Sequence, residues 1–479
     1  MNSPKNPESG TGPTPGVTRP ESTDAQSRPE HQGLPVPRRY WAALAQILML
    51  ATCVLDASMI NVALPTISQS LGVDASTSVW IVNAYGLTVV VTLLPFSSQV
   101  ERFGFRRIFS VGLATFTIGA LISASSISLP MLLAGRLIQG LGAAALFCLT
   151  AGLIRLTFPI NQLGRGIGMI AMTVSVGAVV GPSLGAVILT LGGWRWLFLV
   201  MLPVGAFVWI IKHHLPDAKG VKRPFDVRSA IESGLGIGLL ILGLDFLAIY
   251  TWQSLLLIAA SAVIIVRLVR RSSTQTAPLF PVDLLRIRPF RYAIGASQLT
   301  FSSQMAAFVS LPFFLLDTLE RDQLTLGWLM AGWPAGAGVM ALVAGRMADR
   351  HSIPLLCALG ASCMAIGMAS IAFMSPGIDN LWVMLCMILC GVGFGFFQTP
   401  NNRVLLTTAP RERSGALGGT QAVTRTFGQT VGAALVASAL ALNQDLGPTY
   451  GLIVSVVFAL LAVALNVYRQ IGLSTSEAA

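Results

Sequence analysis

Two charged residues stand where an apolar chain can least accommodate them. Asp56 lies in the stretch LDASMINVALP and Arg136 in AGRLIQGLG, each surrounded by hydrophobic sequence. A carboxylate inside a lipid-spanning segment must be paired, hydrated or protonated, which makes it a functional candidate by default. Arginine keeps its charge and needs an acid or water beside it. Such a couple can exchange protons, because the acid's proton affinity depends on whether the guanidinium sits against it. Asp56 is eight residues before Leu64 and Arg136 seven after Leu129. At 1.5 Å per helical residue they lie roughly 12 and 10 Å from one membrane face, at nearly equal depth. Asn83 falls at a similar depth, and Gln139 lies one turn from Arg136.

The elements that must position these groups are helices in a bilayer. Hydrophobic residues make up 54% of the 479 and charged residues 11%, with a mean hydropathy of +0.72. No soluble domain of this length hides so much apolar surface. About fourteen apolar segments of roughly 20 residues recur along the chain, the length that crosses ~30 Å of hydrocarbon. Lysine and arginine gather in alternate loops: Arg102, Arg106 and Arg107; Lys212 to Arg228; Arg267 to Arg291; Arg346 and Arg350; Arg411 and Arg413. The intervening loops hold Asp74, Glu320, Asp322, Asp379 and Asp445. That asymmetry predicts an even number of spans and both termini in the cytoplasm. The net charge of +11 is therefore topological, and nucleic acid is not an expected partner. Six cysteines sit in apolar segments without a CxxC, so neither disulfides nor a metal site is expected, and no cofactor.

The chain repeats itself. With a shift of 251 residues, Gly164, Gly168, Gly177 and Gly181 fall on Gly415, Gly419, Gly428 and Gly432. Pro159 falls on Pro410, Gly140 on Gly391 and Gly142 on Gly393. Parallel repeats of helical bundles are a transporter architecture. The repeat divides the chain into a polar, disordered cytoplasmic tail over 1–37 and a six-helix bundle over 38–214. A linker with two extra helices follows over 215–289, then a second six-helix bundle over 290–470 and a cytoplasmic tail over 471–479. The extra pair has no partner in the repeat and reads as an insertion outside the two bundles. Arg136 maps onto Met387, and Asp56 onto the neighbourhood of Gln304, because the Leu64-Pro65 and Leu311-Pro312 pairs align. The first bundle thus carries charges where the second is neutral, which suggests ion coupling in one and a passive wall in the other.

Two loops share a pattern of acid then arginine: SSQVERFGFRR, with Glu101, Arg102, Gly104 and Arg106, and GRMADRHS, with Asp349 and Arg350. An acid at the end of a helix can meet a neighbouring helix N-terminus or an arginine. Such a contact would act as a gate on the cytoplasmic side. Tyr85, Trp333 and Gln398, with Asn83, Gln139 and Gln304, are candidates to line a substrate cavity. GPSLG over 181–185 matches a hydrolase elbow, but it lies mid-helix with no strand before it and no usable histidine, so an enzyme is not expected.

These stretches together resemble the major facilitator superfamily, and within it the fourteen-span drug:proton antiporters. LDASMINVALP resembles the first-span signature, SSQVERFGFRR the loop after span two, and AGRLIQGLGAA the fourth-span motif. GAVVGPSLGA, with Gly177, Gly181, Pro182 and Gly185, resembles the antiporter motif of span five. QTPNNRVLLTTAPRERSGALGG resembles the region joining spans twelve and thirteen. Ser97 and Glu101 stand for the family's usual glycine and aspartate, and Ala186 for a final glycine.

The resemblance implies an all-α polytopic fold of two pseudo-symmetric six-helix bundles plus two inserted helices. It implies alternating access in a bacterial cytoplasmic membrane, with Asp56 exchanging protons and Arg136 tuning it. Pro182 would bend span five while its glycines pack on a neighbouring helix. The expected work is proton-driven efflux of small amphipathic compounds. An exporter of an endogenous lipid, fatty acid or metabolite and a non-transporting membrane sensor are the alternatives. An envelope partner is possible, but nothing in the sequence shows one.

Overall fold

The computed structural model of the chain describes residues 33–159, 162–217, 226–247, 250–272, 285–408, 414–443 and 445–477. These residues are helical almost throughout. In chain order the long helices are α1 (Arg38–Leu71), α2 (Trp80–Phe103), α3 (Phe105–Ala124), α4 (Leu129–Thr157), α5 (Leu163–Gly192) and α6 (Met201–Ile211). The pair α7 (Val227–Asp245) and α8 (Thr251–Ser272) follows. The second half holds α9 (Arg288–Phe313), α10 (Gln323–Met347), α11 (Ile353–Ala372), α12 (Asn380–Thr408), α13 (Ser414–Leu442) and α14 (Gly447–Glu477).

Among the described residues, 12 helical segments are long and apolar enough to cross a membrane. Two further helices, α5 with 30 residues and α13 with 29, are of comparable length.

Local chemistry marks the ends. Gly72 closes α1 in the left-handed conformation at φ 63°, its N–H reaching back to the last turn. Gly104, at φ 85°, lets the chain turn directly from α2 into α3. Pro130, Pro289 and Pro354 occupy the first turns of α4, α9 and α11, where a missing N–H costs nothing. Asp226 caps α7 through the Ser229 N–H, and Asp322 caps α10 through two N–H groups. Arg38 donates to the carbonyls of His214 and Leu215 at 3.0 and 3.1 Å, closing the end of the α6 segment against the start of α1.

The packing repeats as the sequence does. In the first half α1 lies on α5, and α4 takes α2 and α3; in the second, α9 lies on α13, and α12 takes α10 and α11. The halves meet through two related contacts, α5 with α10 and α13 with α2. One end of the assembly carries the basic loops and the other the acidic ones. Hydrogen bonds that join the halves gather toward the acidic end: Ser183 Oγ to Gly327 O at 3.3 Å and Gln323 Nε2 to Val62 O at 3.3 Å. Gly86 packs on the Thr430 side chain toward the same end.

One expectation needs correction. The extra pair does not stand outside the bundles: α7 and α8 pack together, and α7 also lies against α2 and α13. Its residue Asp245 is buried, and Ser438 of α13 donates to the Leu244 and Asp245 carbonyls at 2.8 and 3.2 Å. The buried acid needs polar partners that lipid cannot supply, and that draws the pair inward. At the C-terminus α14 runs on through Glu477, into the stretch 471–479 expected as a cytoplasmic tail. Most of the N-terminal tail, 1–32, lies outside the described residues. Leu34 is fixed by its N–H to Thr157 O at 3.0 Å.

Candidate functional site

α1 and α4 bring Asp56 and Arg136 together. Arg136 Nη1 donates to Asp56 Oδ2 at 2.7 Å, with 0% and 3% of the two residues exposed. Gln139, one turn along α4, completes a triangle. Its Oε1 accepts from Arg136 Nη1 at 2.9 Å and its Nε2 donates to Asp56 Oδ1 at 3.1 Å. Arg136 Nε reaches the Ile81 carbonyl at 3.1 Å. The guanidinium also lies over the Tyr85 ring at 4.4 Å and the Phe198 ring at 5.9 Å. Aromatic faces are among the few surroundings that attract a desolvated cation. Among the described residues, Arg136 Nη2 and the Tyr85 hydroxyl have no hydrogen-bond partner. The site is therefore an acid held by one guanidinium and one amide, with donor capacity left over.

Gly177, Gly181 and Gly185 of α5 face α1 at Val54, Ser58 and Met59, one turn apart. A methyl group on Gly181 would stand 2.4 Å from Ser58 Cβ. Asp56 lies between these contacts, so the glycine stripe sets how closely α5 backs the helix that carries the acid. Pro182 sits inside an unbroken α5, and Gly327 of α10 packs against Ala186 and the Pro182 carbonyl. The stripe is thus shared between the α1 contact and the contact between halves.

Other predicted positions fall differently. Asn83 does not face open space: its Nδ2 donates to Asp245 Oδ1 at 2.7 Å, with 1% and 3% of the residues exposed. Trp333 is enclosed within the second half, edge-on to Phe308 at 5.1 Å, and its indole N–H has no partner among the described residues. Gln304 and Gln398 are half-buried. Asp349 pairs with Arg403 of α12 rather than with Arg350, so this contact lies inside one half instead of bridging two. Arg102 is exposed over the Phe103 ring at 5.3 Å, Arg106 is half-buried in the first turn of α3, and the Glu101 side chain lies outside the described residues.

The register of the repeat holds. Gly177 meets the Ala51 carbonyl and the Val54 side chain, and its counterpart Gly428 meets the Gln298 carbonyl and the Phe301 side chain, a shift of 247 residues. On that shift Asp56 corresponds to Ser303, beside Gln304. Ser303 is buried, and its hydroxyl lies 3.1 Å from that of Ser455. Met387, opposite Arg136 in the repeat, is also buried.

Sequence reasoning missed two charged groups. Asp245 closes α7 in GLDFLAIY, where it reads as a span-end charge; only its docking against Asn83 sets it apart. Arg425 lies in α13, in QAVTRTFGQT, a stretch polar enough to hide a cation. Its guanidinium reaches the other half, over the Phe147 ring of α4 at 5.8 Å.

The sequence profile described as Major Facilitator Superfamily matches residues 47–433. An uncharacterized transporter of Escherichia coli K12, YebQ, is 42% identical over 91% of this chain and 97% of its own length. The riboflavin transporter RibZ of Clostridioides difficile is 26% identical over 82% of this chain and 87% of its own. The multidrug resistance protein Stp of Mycobacterium tuberculosis is 27% identical over 81% and 73%. Among solved structures, a bacterial homolog of the human lysosomal transporter Spinster, inward-facing and unoccupied, superposes with a TM-score of 0.66. Its identity is 13%, over 90% of this chain and 97% of that one.

Proposed function

The chain belongs to the Major Facilitator Superfamily, and on that premise we propose that it exports small amphipathic compounds in exchange for protons. The observation that carries this reading is the buried triangle of Asp56, Arg136 and Gln139. Breaking a buried pair costs about 3–5 kcal/mol when one charge is left uncompensated. Protonation of Asp56 releases Arg136, which must find another partner or shift. A proton at Asp56 and a change in packing around α1 and α5 are in this way one event. The cargo leaves from the state in which the proton is held, and proton release on the other side returns the carrier. The energy source is the proton gradient, with no resident cofactor, and no envelope partner is invoked.

In this reading the basic end is cytoplasmic, both termini lie there, and α1 to α14 make fourteen spans of the cytoplasmic membrane. α7 and α8 are the inserted pair. Contacts between halves gathered at the acidic end leave the cytoplasmic end as the open one. The multidrug relative supports efflux. The riboflavin transporter supports the second reading, movement of an endogenous metabolite on the same scaffold.

The test is proton flux in inside-out vesicles given lipophilic cations, anions and neutral compounds, with wild type and Asp56→Asn side by side. Compound-triggered proton release in wild type alone is the expected result. Release that persists in Asp56→Asn places the coupling acid elsewhere. Ligand binding without any flux favours a sensor.

A further inference from the structure

Arg425, half-buried, has a different standing from Asp56, Arg136 and Asp245. Asp56 and Arg136 neutralise each other, and Asp245 faces Asn83. Arg425 has neither an ion pair nor a hydrogen bond among the described residues. Its guanidinium lies over the Phe147 ring at 5.8 Å, in the neighbourhood of Tyr85. A guanidinium does not shed its proton to escape such a setting, and a ring face offsets only part of the lost hydration. An intramembrane cation without an acid marks a ligand path more often than a structural contact.

The position is not required by the scaffold. Its counterpart in the repeat, 251 residues earlier, is Val174 on α5. The fold therefore accepts an apolar side chain at that place, and the cation is an addition of the second half. The side chain also crosses the boundary between halves: α13 supplies the cation, while α4 and α2 supply Phe147 and Tyr85. Any solute moved by alternating access must pass along that boundary, and contacts across it must break and re-form. Gln46, Cys53 and Thr150 line a cleft with Phe147 on the side facing the basic end. Close to Arg425 are thus a fixed positive charge, two aromatic rings and an unpartnered phenol hydroxyl.

We propose that Arg425 is the anion-recognition residue of the cavity, and that the solute class is aromatic amphipathic compounds bearing a carboxylate or similar oxyanion. The planar guanidinium fork matches a carboxylate in two parallel hydrogen bonds, while Phe147 and Tyr85 take the aromatic body. The inference rests on the transport reading above and narrows it. With few buried acids in the second half, the sequence alone points toward monovalent cations or neutral compounds over divalent cations, and Arg425 turns that preference toward anions.

The test is equilibrium binding to the full chain in lipid nanodiscs, without a proton gradient. Three probes share one fluorescent body: 1-pyrenebutyrate, its neutral amide, and the matching quaternary ammonium. Wild type should bind the carboxylate about tenfold or more better than the other two, the size expected of hydrogen bonds to a charged group. Arg425→Gln should level the three, and Arg425→Glu should turn the preference toward the ammonium. If either variant loses its thermal transition, Arg425→Lys serves. It keeps the charge but not the fork, so carboxylate affinity should fall several-fold while amide affinity stays. Equal binding of the three probes to wild type, preference for the ammonium, no binding of the carboxylate, or a carboxylate preference that survives Arg425→Gln would each overturn the assignment. The same probes in the vesicle assay separate the two claims. Carboxylate preference without proton flux removes the export reading and leaves the site. Proton flux driven best by the ammonium removes the site and leaves the export reading.

Discussion

The two halves of the molecule are built on one plan and hold opposite contents. In the first, α1 and α4 enclose Asp56, Arg136 and Gln139. In the second, the corresponding positions on α9 and α12 are Ser303, Met387 and Cys390, all buried. Tyr85, on which the guanidinium lies, has Trp333 as its counterpart: the Tyr85 carbonyl faces Gly140 and the Trp333 carbonyl faces Gly391. On α13 the asymmetry runs the other way, with Arg425 where α5 has Val174. The comparison teaches that close backbone approach fixes the shape of a half, and that the charges are superimposed on that shape. A half can lose its ion pair and keep its packing, which is what a division of labour between coupling and recognition needs.

The largest effect should come from making the first half like the second. Arg136→Met leaves Asp56 buried without its cation, and Asp56→Ser leaves Arg136 without its acid. Each single change should lower stability by about 3–5 kcal/mol at neutral pH. The double change reproduces the Ser303 and Met387 arrangement and should recover most of the loss, since an ion pair replaced as a unit by packed neutral residues is often close to neutral. Thermal unfolding in nanodiscs reads all three. A double variant as unstable as the sum of the singles would mean that the halves are not interchangeable scaffolds.

The next effect concerns the backbone contacts themselves. A methyl group on Gly391 would stand 1.9 Å from the Trp333 carbonyl oxygen, whereas on Gly140 it would meet the Thr88 side chain and the Tyr85 carbonyl at 2.8 Å. Overpacking of this kind costs about 1–3 kcal/mol. Gly391→Ala should lie at the upper end and Gly140→Ala at the lower, because part of the obstacle in the first half is a side chain that can turn. Equal losses in the same unfolding assay would mean that the second half relaxes as easily as the first.

Much of this site was legible in the chain because helical rise converts residue number into depth. Asp56 and Arg136 were placed at one level by counting, and the glycine stripe of α5 by its spacing of four. The register of α9 was legible too, because the Leu-Pro pairs that align the ends of α1 and α9 give the same shift as the glycine contacts that fix their middles. Asp245 was missed. A charge at a span end is ordinary, and only the docking of α7 on α2 turns it into a buried acid. Asn83 was read at the correct depth but without its partner, since a pairing between distant helices leaves no periodic trace. Arg425 lay within a polar run whose direction no count of residues gives.

The smallest effect is confined to one end of the second half. Asp322 caps α10 by accepting from the Leu324 and Thr325 N–H groups, each at 3.1 Å, and from the Thr325 hydroxyl. α2, its counterpart in packing, starts at Val79 with no side-chain cap. The hydrogen bond from the Thr325 side chain, then that from its backbone, holds the Asp322 carboxyl below its ordinary value of 3.8. A carboxyl lowered in the folded state stabilises above its unfolded pKa, and the contribution fades as pH falls through the folded one. Asp322→Ala should therefore cost about 1 kcal/mol at neutral pH, the usual worth of such a cap. The gap to wild type should close in acid, below the ordinary aspartate range. Asp322→Asn keeps an acceptor that does not titrate, so its offset from wild type should also shift in acid, but in its favour. A gap between Asp322→Ala and wild type that stays constant from neutral to strongly acidic pH would show that the cap works through shape alone, and that the two halves meet acid alike at this end.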